Sequence, residues 1–248
     1  MEVINAIWEK RNIEVDAYEI RLSCSDCLRP CDVFSELRKD KYKKSYVTIK
    51  VPVNHIDLLH QLEDFGFRFM EMQFHVAKNL LHYKAPDKIS SLKMDIKQKE
   101  IAKTISEWKD VTNLIDEDMF HTDRIYVDPK LKFGTSCKRY KNWMMDLVGK
   151  PDYHLFLYYD DKTPIGFGLV CFDNLNKKVY VVLEGIFTKY QHMGYGSKMF
   201  DVALTSYAQK GFESLETCIS SNNFPIIKID LLFGYSIIDE VYVLRNYA

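Results

Sequence analysis

The segment Gln191-His192-Met193-Gly194-Tyr195-Gly196-Ser197 is built for a recognisable chemistry. Its glycine pair lets the main chain turn tightly and aim successive N–H groups at one point, where an oxyanion such as a phosphate would sit. No Gly-Lys-Ser/Thr follows, so this is not a nucleoside-triphosphate loop, and the third glycine of a dinucleotide fingerprint is missing. Cys24, Cys27 and Cys31 have a spacing at which thiolates could share a metal, but they are three where a closed structural site takes four. Cys137, Cys171 and Cys218 are isolated, so no metal site is expected. The basic run from Arg38 to Lys44 holds one aromatic and reads as a solvated helix end rather than a nucleic-acid patch. The histidines show no ligand spacing, and Trp8, Trp108 and Trp143 are read as core.

The elements that would position the glycine loop are legible on both sides of it. Val179 to Phe187 is β-branched and apolar enough for a buried strand. Phe200, Val202, Ala203, Leu204 and Tyr207 give the following stretch a helical apolar face, with Gly211 as its stop. The loop therefore opens a helix at its positive end.

A repeat organises the rest of the chain. Residues 46–78 align without a gap on residues 214–246, an offset of 168 residues. Each copy runs from a strand through a polar turn containing Asn54 or Asn222 into an amphipathic helix. The apolar face is Ile56, Leu58, Leu59, Leu62 and Phe65 in the first copy and Ile226, Ile227, Ile229, Leu232 and Phe233 in the second. Gly66 or Gly234 stops the helix, and Phe67 or Tyr235 leads into another strand. Two related α/β modules follow, connected by the polar, lysine-rich stretch of roughly 84–100 with its Pro86.

Gln191-x-x-Gly194-x-Gly196 matches the Gln/Arg-x-x-Gly-x-Gly/Ala signature of the GCN5-related N-acetyltransferases (GNAT), in the strand–loop–helix setting that family uses. Asn222 and Asn223, ahead of Phe233-Gly234-Tyr235, look like the family's Asn-helix-Leu-Gly-Phe segment. The resemblance covers about residues 92–248. It implies a mixed-sheet α/β fold of the acyl-CoA N-acyltransferase kind, acetyl-CoA as co-substrate, and transfer to a primary amine of a small molecule. With the repeat, it implies that residues 1–85 form a truncated GNAT-like domain without a coenzyme site, and that 92–248 form the catalytic domain. The tandem layout, with Tyr126-Val127-Asp128-Pro129 and Tyr140-Lys141-Asn142-Trp143, is similar to sugar-nucleotide acetyltransferases of the TDP-fucosamine type. A nucleotide-linked 4-amino sugar is then the first acceptor expected, and an amine-bearing antibiotic the second. A catalytically silent module for acetyl-CoA binding or protein interaction is the rival from another class.

The resemblance also assigns residues. Gln191, His192, Met193, Gly194, Tyr195, Gly196 and Ser197 would hold the coenzyme pyrophosphate, mainly through backbone N–H groups. Ile186 and Phe187 match the main-chain positions that meet the pantetheine and acetyl oxygen, and Asn222 and Asn223 complete the coenzyme set. Glu184 is the candidate base for the amine. The family's thiolate-protonating tyrosine, seven residues after its asparagine, falls here on Asp230. Asp230 could serve only with a raised pKa. Tyr235 and Tyr242 are the alternatives, and an unassisted thiolate is a third. The loop 116–128, with Asp116, Glu117, Asp118, His121, Asp123 and Arg124, is expected on the acceptor side, where Arg124 or Lys130 could meet a phosphate.

Composition sets the remaining bounds. In 248 residues, 47% hydrophobic and 14% aromatic content is enough for one large or two smaller cores. Thirty-four basic against 35 acidic residues leave a net charge of −1, so no overall field draws the chain to nucleic acid or to an anionic membrane. The expected partner is the small-molecule amine, and a homodimer is compatible with the sequence. The charged start and the lack of an apolar run near ~18 residues lead to the expectation of a cytoplasmic protein with reduced thiols.

Overall fold

The β-branched and apolar residues from Tyr46 to Pro52, and the mixed stretch from Ser214 to Ser220, form two strands of one large sheet, the first buried on both faces. The computed structural model describes residues 1–247. In chain order its elements are β1 (Glu2–Asn5), α1 (Ile7–Ile13), β2 (Ala17–Arg21), α2 (Cys24–Cys27), α3 (Pro30–Leu37), β3 (Tyr46–Pro52), α4 (Ile56–Asp64), β4 (Arg68–Asn79), α5 (Asp87–Ser90) and β5 (Ile96–Ile101). There follow α6 (Ile105–Asn113), α7 (Thr135–Met145), β6 (Tyr153–Asp160), β7 (Thr163–Asp173), β8 (Lys178–Ile186), α8 (Tyr195–Gln209), β9 (Ser214–Ser220), α9 (Phe224–Phe233) and β10 (Ser236–Asn246). The ten strands form one sheet in the order β1-β2-β3-β10-β4-β9-β8-β7-β6-β5, parallel at β2–β3 and β8–β9 and antiparallel at the other pairings. One face is covered by α3, α4, α8 and α9, the other by α1, α6 and α7.

The two repeat copies meet at the middle of this sheet. Strand β10 lies between β3 and β4, and β4 lies between β10 and β9, so each copy inserts its last strand into the other. The register is symmetric. Gln73 pairs with its own repeat counterpart, Val241, while Gln73↔Ser220 mirrors Val241↔Pro52 and Phe74↔Ile219 mirrors Tyr242↔Val51. An approximate two-fold axis therefore pierces the sheet at Gln73 and Val241. Gly66 and Gly234 both take positive φ, as a helix stop requires.

Two expectations need correction. The stretch 84–100 is not only a connection, since it contains α5 and most of β5. Strand β5, Ile-Lys-Gln-Lys-Glu-Ile, reads as a linker because it is the edge of the sheet, where charged side chains discourage further pairing. Helix α9 is not amphipathic as expected: Leu231 is 69% exposed and Leu232 is also exposed, while Asp230 and Phe233 are its buried residues.

Candidate active site

The pairing between β8 and β9 lasts for three positions only, Lys178↔Ser214 to Tyr180↔Glu216. The Thr217 hydroxyl donates to the Val181 carbonyl at 3.2 Å, and beyond it the strands diverge. The equivalent pair in the first copy stays closed, with β2 and β3 paired from Ala17↔Tyr46 to Arg21↔Lys50. The gap between β8 and β9 thus exposes main-chain groups that a sheet would otherwise consume.

Above this gap stands the glycine loop. Gly194, at φ +86°, is the N-cap of α8 and offers no side chain to the first turn, so its orphan N–H groups face outward. His192 also takes positive φ, at +62°. At Gly196 a Cβ would meet Ile229 at 3.5 Å and Ile186 at 3.9 Å, which are ordinary contacts. The fold itself therefore has room for a Cβ at 196. Met193 is exposed and Ser197 lies in the first turn. The Tyr195 phenol is already committed, donating to Asp160 Oδ2 at 2.6 Å. Gln191 reaches back and donates its amide to the Ile186 carbonyl at 3.1 Å, holding the loop to the strand end. The Phe187 N–H bonds to Ile165 of β7, so Ile186 turns its own N–H the opposite way, into the gap. Of the two residues expected to meet the coenzyme by main chain, Ile186 retains a free N–H, and Phe187 spends its N–H on β7.

A β-bulge aims the carboxyl. Leu169 pairs with Leu183 but Val170 pairs with Val181, leaving Val182 unpaired. Before the bulge, Val179 and Val181 face the α8 side; after it, Leu183 and Phe187 face α6 and α7 while Ile186 faces α8. The change of parity puts Glu184 on the α8 and α9 side, across from Asp230 of α9. Burial pushes the Glu184 carboxyl up to about 8, with the neighbouring Asp230 adding to the shift. Asp230 is 3% exposed, neither of its carboxylate oxygens has a hydrogen-bond partner, and burial raises its pKa to about 7. Neither carboxyl has a cation within ion-pair distance among the described residues. Tyr235 stands beside them, its phenol held well above its usual pKa first by burial and then by Glu184 and Asp230.

Glu184 and Asp230 border a cleft of about 710 Å³ that opens on the opposite face of the sheet. Its floor is the polar face of the central strands, with Lys50 of β3, Glu71 and Gln73 of β4, and Cys218 and Ser220 of β9. Its walls are α1, α7 and the loop between α6 and α7. Trp8 and Trp143, read from sequence as core, stand in this wall at 46% and 36% exposure; Trp108 is buried as expected. From the loop 116–128, Phe120, Thr122, Asp123 and Arg124 reach the cleft, whereas Asp116 accepts a hydrogen bond from Thr188 at 2.6 Å outside it. Asn223 borders the cleft, while the Asn222 amide turns to the Met70 carbonyl at 3.4 Å. Tyr242 is placed elsewhere. It packs against Phe69 and the α3/α4 core of the first copy, because β10 is lodged between β3 and β4. The Val182 bulge carries no local sequence signal, and the aromatic wall could have been found only by knowing that α1 packs beside α7.

Residues 108–229 match the family model described as Acetyltransferase (GNAT) family. A search of the curated proteins found no match. Among solved structures, a GCN5-related N-acetyltransferase from Sphaerobacter thermophilus superposes with a TM-score of 0.65 at 12% identity, covering 99% of this chain and 75% of that one. A functionally unknown conserved protein from Staphylococcus epidermidis ATCC 12228 gives 0.61 at 13% identity, over 96% and 88% of the two chains. A GCN5-related N-acetyltransferase from Kribbella flavida gives 0.57 at 12%, over 94% and 82%. At these identities the likeness concerns the fold, a mixed α/β sheet of the GNAT kind.

Proposed function

Because residues 108–229 match the acetyltransferase (GNAT) family model, we propose that this chain moves the acetyl group of acetyl-CoA to a primary amine of a small molecule. A nucleotide-linked 4-amino sugar is the first acceptor to test. The observation that carries the reading is the pair Glu184 and Asp230, two carboxyls without a cationic partner at the open end of β8 and β9. The pyrophosphate docks on the N–H groups that open α8, where the helix dipole favours an anion. The Ile186 N–H lies in the gap and is the main-chain donor nearest to hand for the acetyl or pantetheine oxygens.

Transfer then needs three proton movements. Glu184 takes a proton from the acceptor ammonium, directly or through water, and the free amine attacks the acetyl carbonyl carbon. The C–S bond breaks as the amide forms, the departing thiolate takes the proton held by Asp230, and the second proton shed by the attacking nitrogen replaces it on the Asp230 carboxylate. Two carboxyls that titrate at about 7 and about 8 share a single proton near neutrality; it rests mainly on Glu184, and the reactive form is the minor one in which Asp230 holds it, so that Glu184 accepts while Asp230 donates. Thiols have pKa values near ~8.5, which makes the demand on the acid modest. Residues 1–85 supply part of the cleft floor; there β2 and β3 do not splay, and α3 starts at Arg29-Pro30 with no glycine turn.

The test is acetyl transfer from acetyl-CoA to a panel of amino-sugar nucleotides, polyamines, aminoglycosides and peptides, followed by mass spectrometry of the products. Acetylation of one class, abolished by Gly196→Trp, supports the reading. Acetyl-CoA binding without transfer to any amine would turn it toward a silent module.

A further inference from the structure

The cleft is bordered by a guanidinium with a buried nitrogen that has no hydrogen-bond partner. Arg124, in the loop between α6 and α7, borders the cleft with its side chain 13% exposed. Its Nη1 is buried and has no hydrogen-bond partner. Its only ion-pair partner among the described residues, Glu71, lies 3.9 Å from Nε, beyond hydrogen-bonding reach. That partner is itself spoken for. Glu71 accepts the Ser220 hydroxyl at 2.5 Å, and burial raises its pKa.

The other acids nearby are committed as well. Glu9 takes the Arg139 guanidinium at 2.6 Å. Glu19 receives both Arg21 at 2.6 Å and Lys50 at 3.5 Å. Asp123 accepts the Ser136 hydroxyl at 2.7 Å and the Ile125 N–H at 3.2 Å. Glu71 and Asp123 stabilise the charge of Arg124, but a buried donor without a partner is costly unless something else meets it, and Arg124 borders the cleft.

We infer that the acceptor amine carries an oxyanion, carboxylate or phosphate, which docks on Arg124 while its amine reaches toward Glu184. The inference rests on the acetyl-transfer reading and names the substrate class for it. The spacing supports it. Arg124 stands by Glu71 on β4, and Glu184 belongs to β8, two strands away and past the point where β8 and β9 part, so the separation across the strands exceeds about 10 Å. That span suits an amine whose anionic group lies several bonds from its nitrogen. The wall of Trp8, Tyr140 and Trp143 between them offers flat apolar surface for the intervening carbons or rings.

The experiment compares matched primary amines that differ only in the tail: ω-amino carboxylates of increasing length, their methyl esters, and aminoalkyl phosphates. Each is tested for acetylation with acetyl-CoA. Each is also titrated without acetyl-CoA by tryptophan fluorescence, which Trp8 and Trp143 make sensitive to the cleft. The expected result is that anionic members exceed their esters by about tenfold or more in kcat/KM and in binding, and that Arg124→Gln reduces this ratio to near one. Arg124→Lys should recover part of the ratio. Preference for phosphates over carboxylates, or the reverse, identifies which oxyanion the site takes. Esters that bind as well as the acids, or an unchanged ratio in Arg124→Gln, would overturn the inference, as would no anion binding at millimolar concentration. Anion binding that Arg124→Gln removes, in the absence of any acetylation, would uphold the subsite and count against acetyl transfer.

Discussion

Glu184 and Asp230 hold most of what can be tested at the scale of single residues. Their carboxyls share one proton in the neutral range, so kcat/KM is expected to rise with pH through about 7 and fall above about 8. Glu184→Gln should lower kcat by about a hundredfold or more and leave acetyl-CoA affinity unchanged. An initial-rate profile with and without the substitution checks both statements. The same shifts affect stability with a definite sign. A carboxyl whose pKa is raised in the folded state binds its proton more tightly there, so stability is highest below the unfolded values near ~4 and falls as pH rises toward 7 or 8. Asp230→Asn should therefore flatten the decline of Tm between about pH 5 and 8, gaining roughly 2–4 °C per kcal/mol recovered. A steeper decline in the variant would contradict the burial of Asp230. The sequence could show that an aspartate stands where the resemblance calls for a tyrosine. It could not show that the aspartate has no partner, because that depends on which side chains α9 meets. Tyr242 failed as a candidate for a similar reason, since its strand leaves its own copy.

At the scale of elements, the bulge at Val182 and the short pairing of β8 with β9 do the positioning. The glycine loop was readable because its residues are unusual wherever they occur. The bulge was not, since Val182 differs in nothing from its neighbours and the extra residue shows only against β7. Deleting Val182 would restore simple alternation and turn Glu184 to the other face, so turnover should be lost even if the chain folds, as far-ultraviolet circular dichroism would verify. A second element-level device is the buried pair of Arg245 on β10 with Asp128, in which Nε and Nη2 each donate to one carboxylate oxygen at 2.7 Å. The Tyr46 phenol adds a third bond to Asp128 at 3.1 Å. This ties the loop that carries Arg124 to the central strands. Asp128→Ala should cost about 3–5 kcal/mol in denaturant unfolding, because it strands a buried cation. A loss below about 1 kcal/mol would show that the loop is anchored otherwise.

For the whole molecule, the repeat was visible in sequence, but the exchange of strands was not, since nothing in either copy states which partner its last strand will take. With β4 lodged between β10 and β9, residues 92–248 alone would leave β9 with an open edge and β10 without either neighbour. That fragment should be insoluble by itself and recover solubility when residues 1–91 are supplied as a separate chain; a stable, monomeric 92–248 fragment would refute the interdependence. The same arrangement explains why the cleft lies between the copies: its floor crosses the symmetry axis, and the coenzyme gap opens on one side only. The central claim is that acetyl-CoA occupies that gap and the start of α8. Calorimetric titration of acetyl-CoA into the full chain and into Gly196→Trp tests it most directly. The account predicts one site per chain and at least about tenfold weaker binding in the variant, whose new side chain fills the space the coenzyme needs. No heat of binding in the unaltered protein, or equal affinity in both, would contradict it.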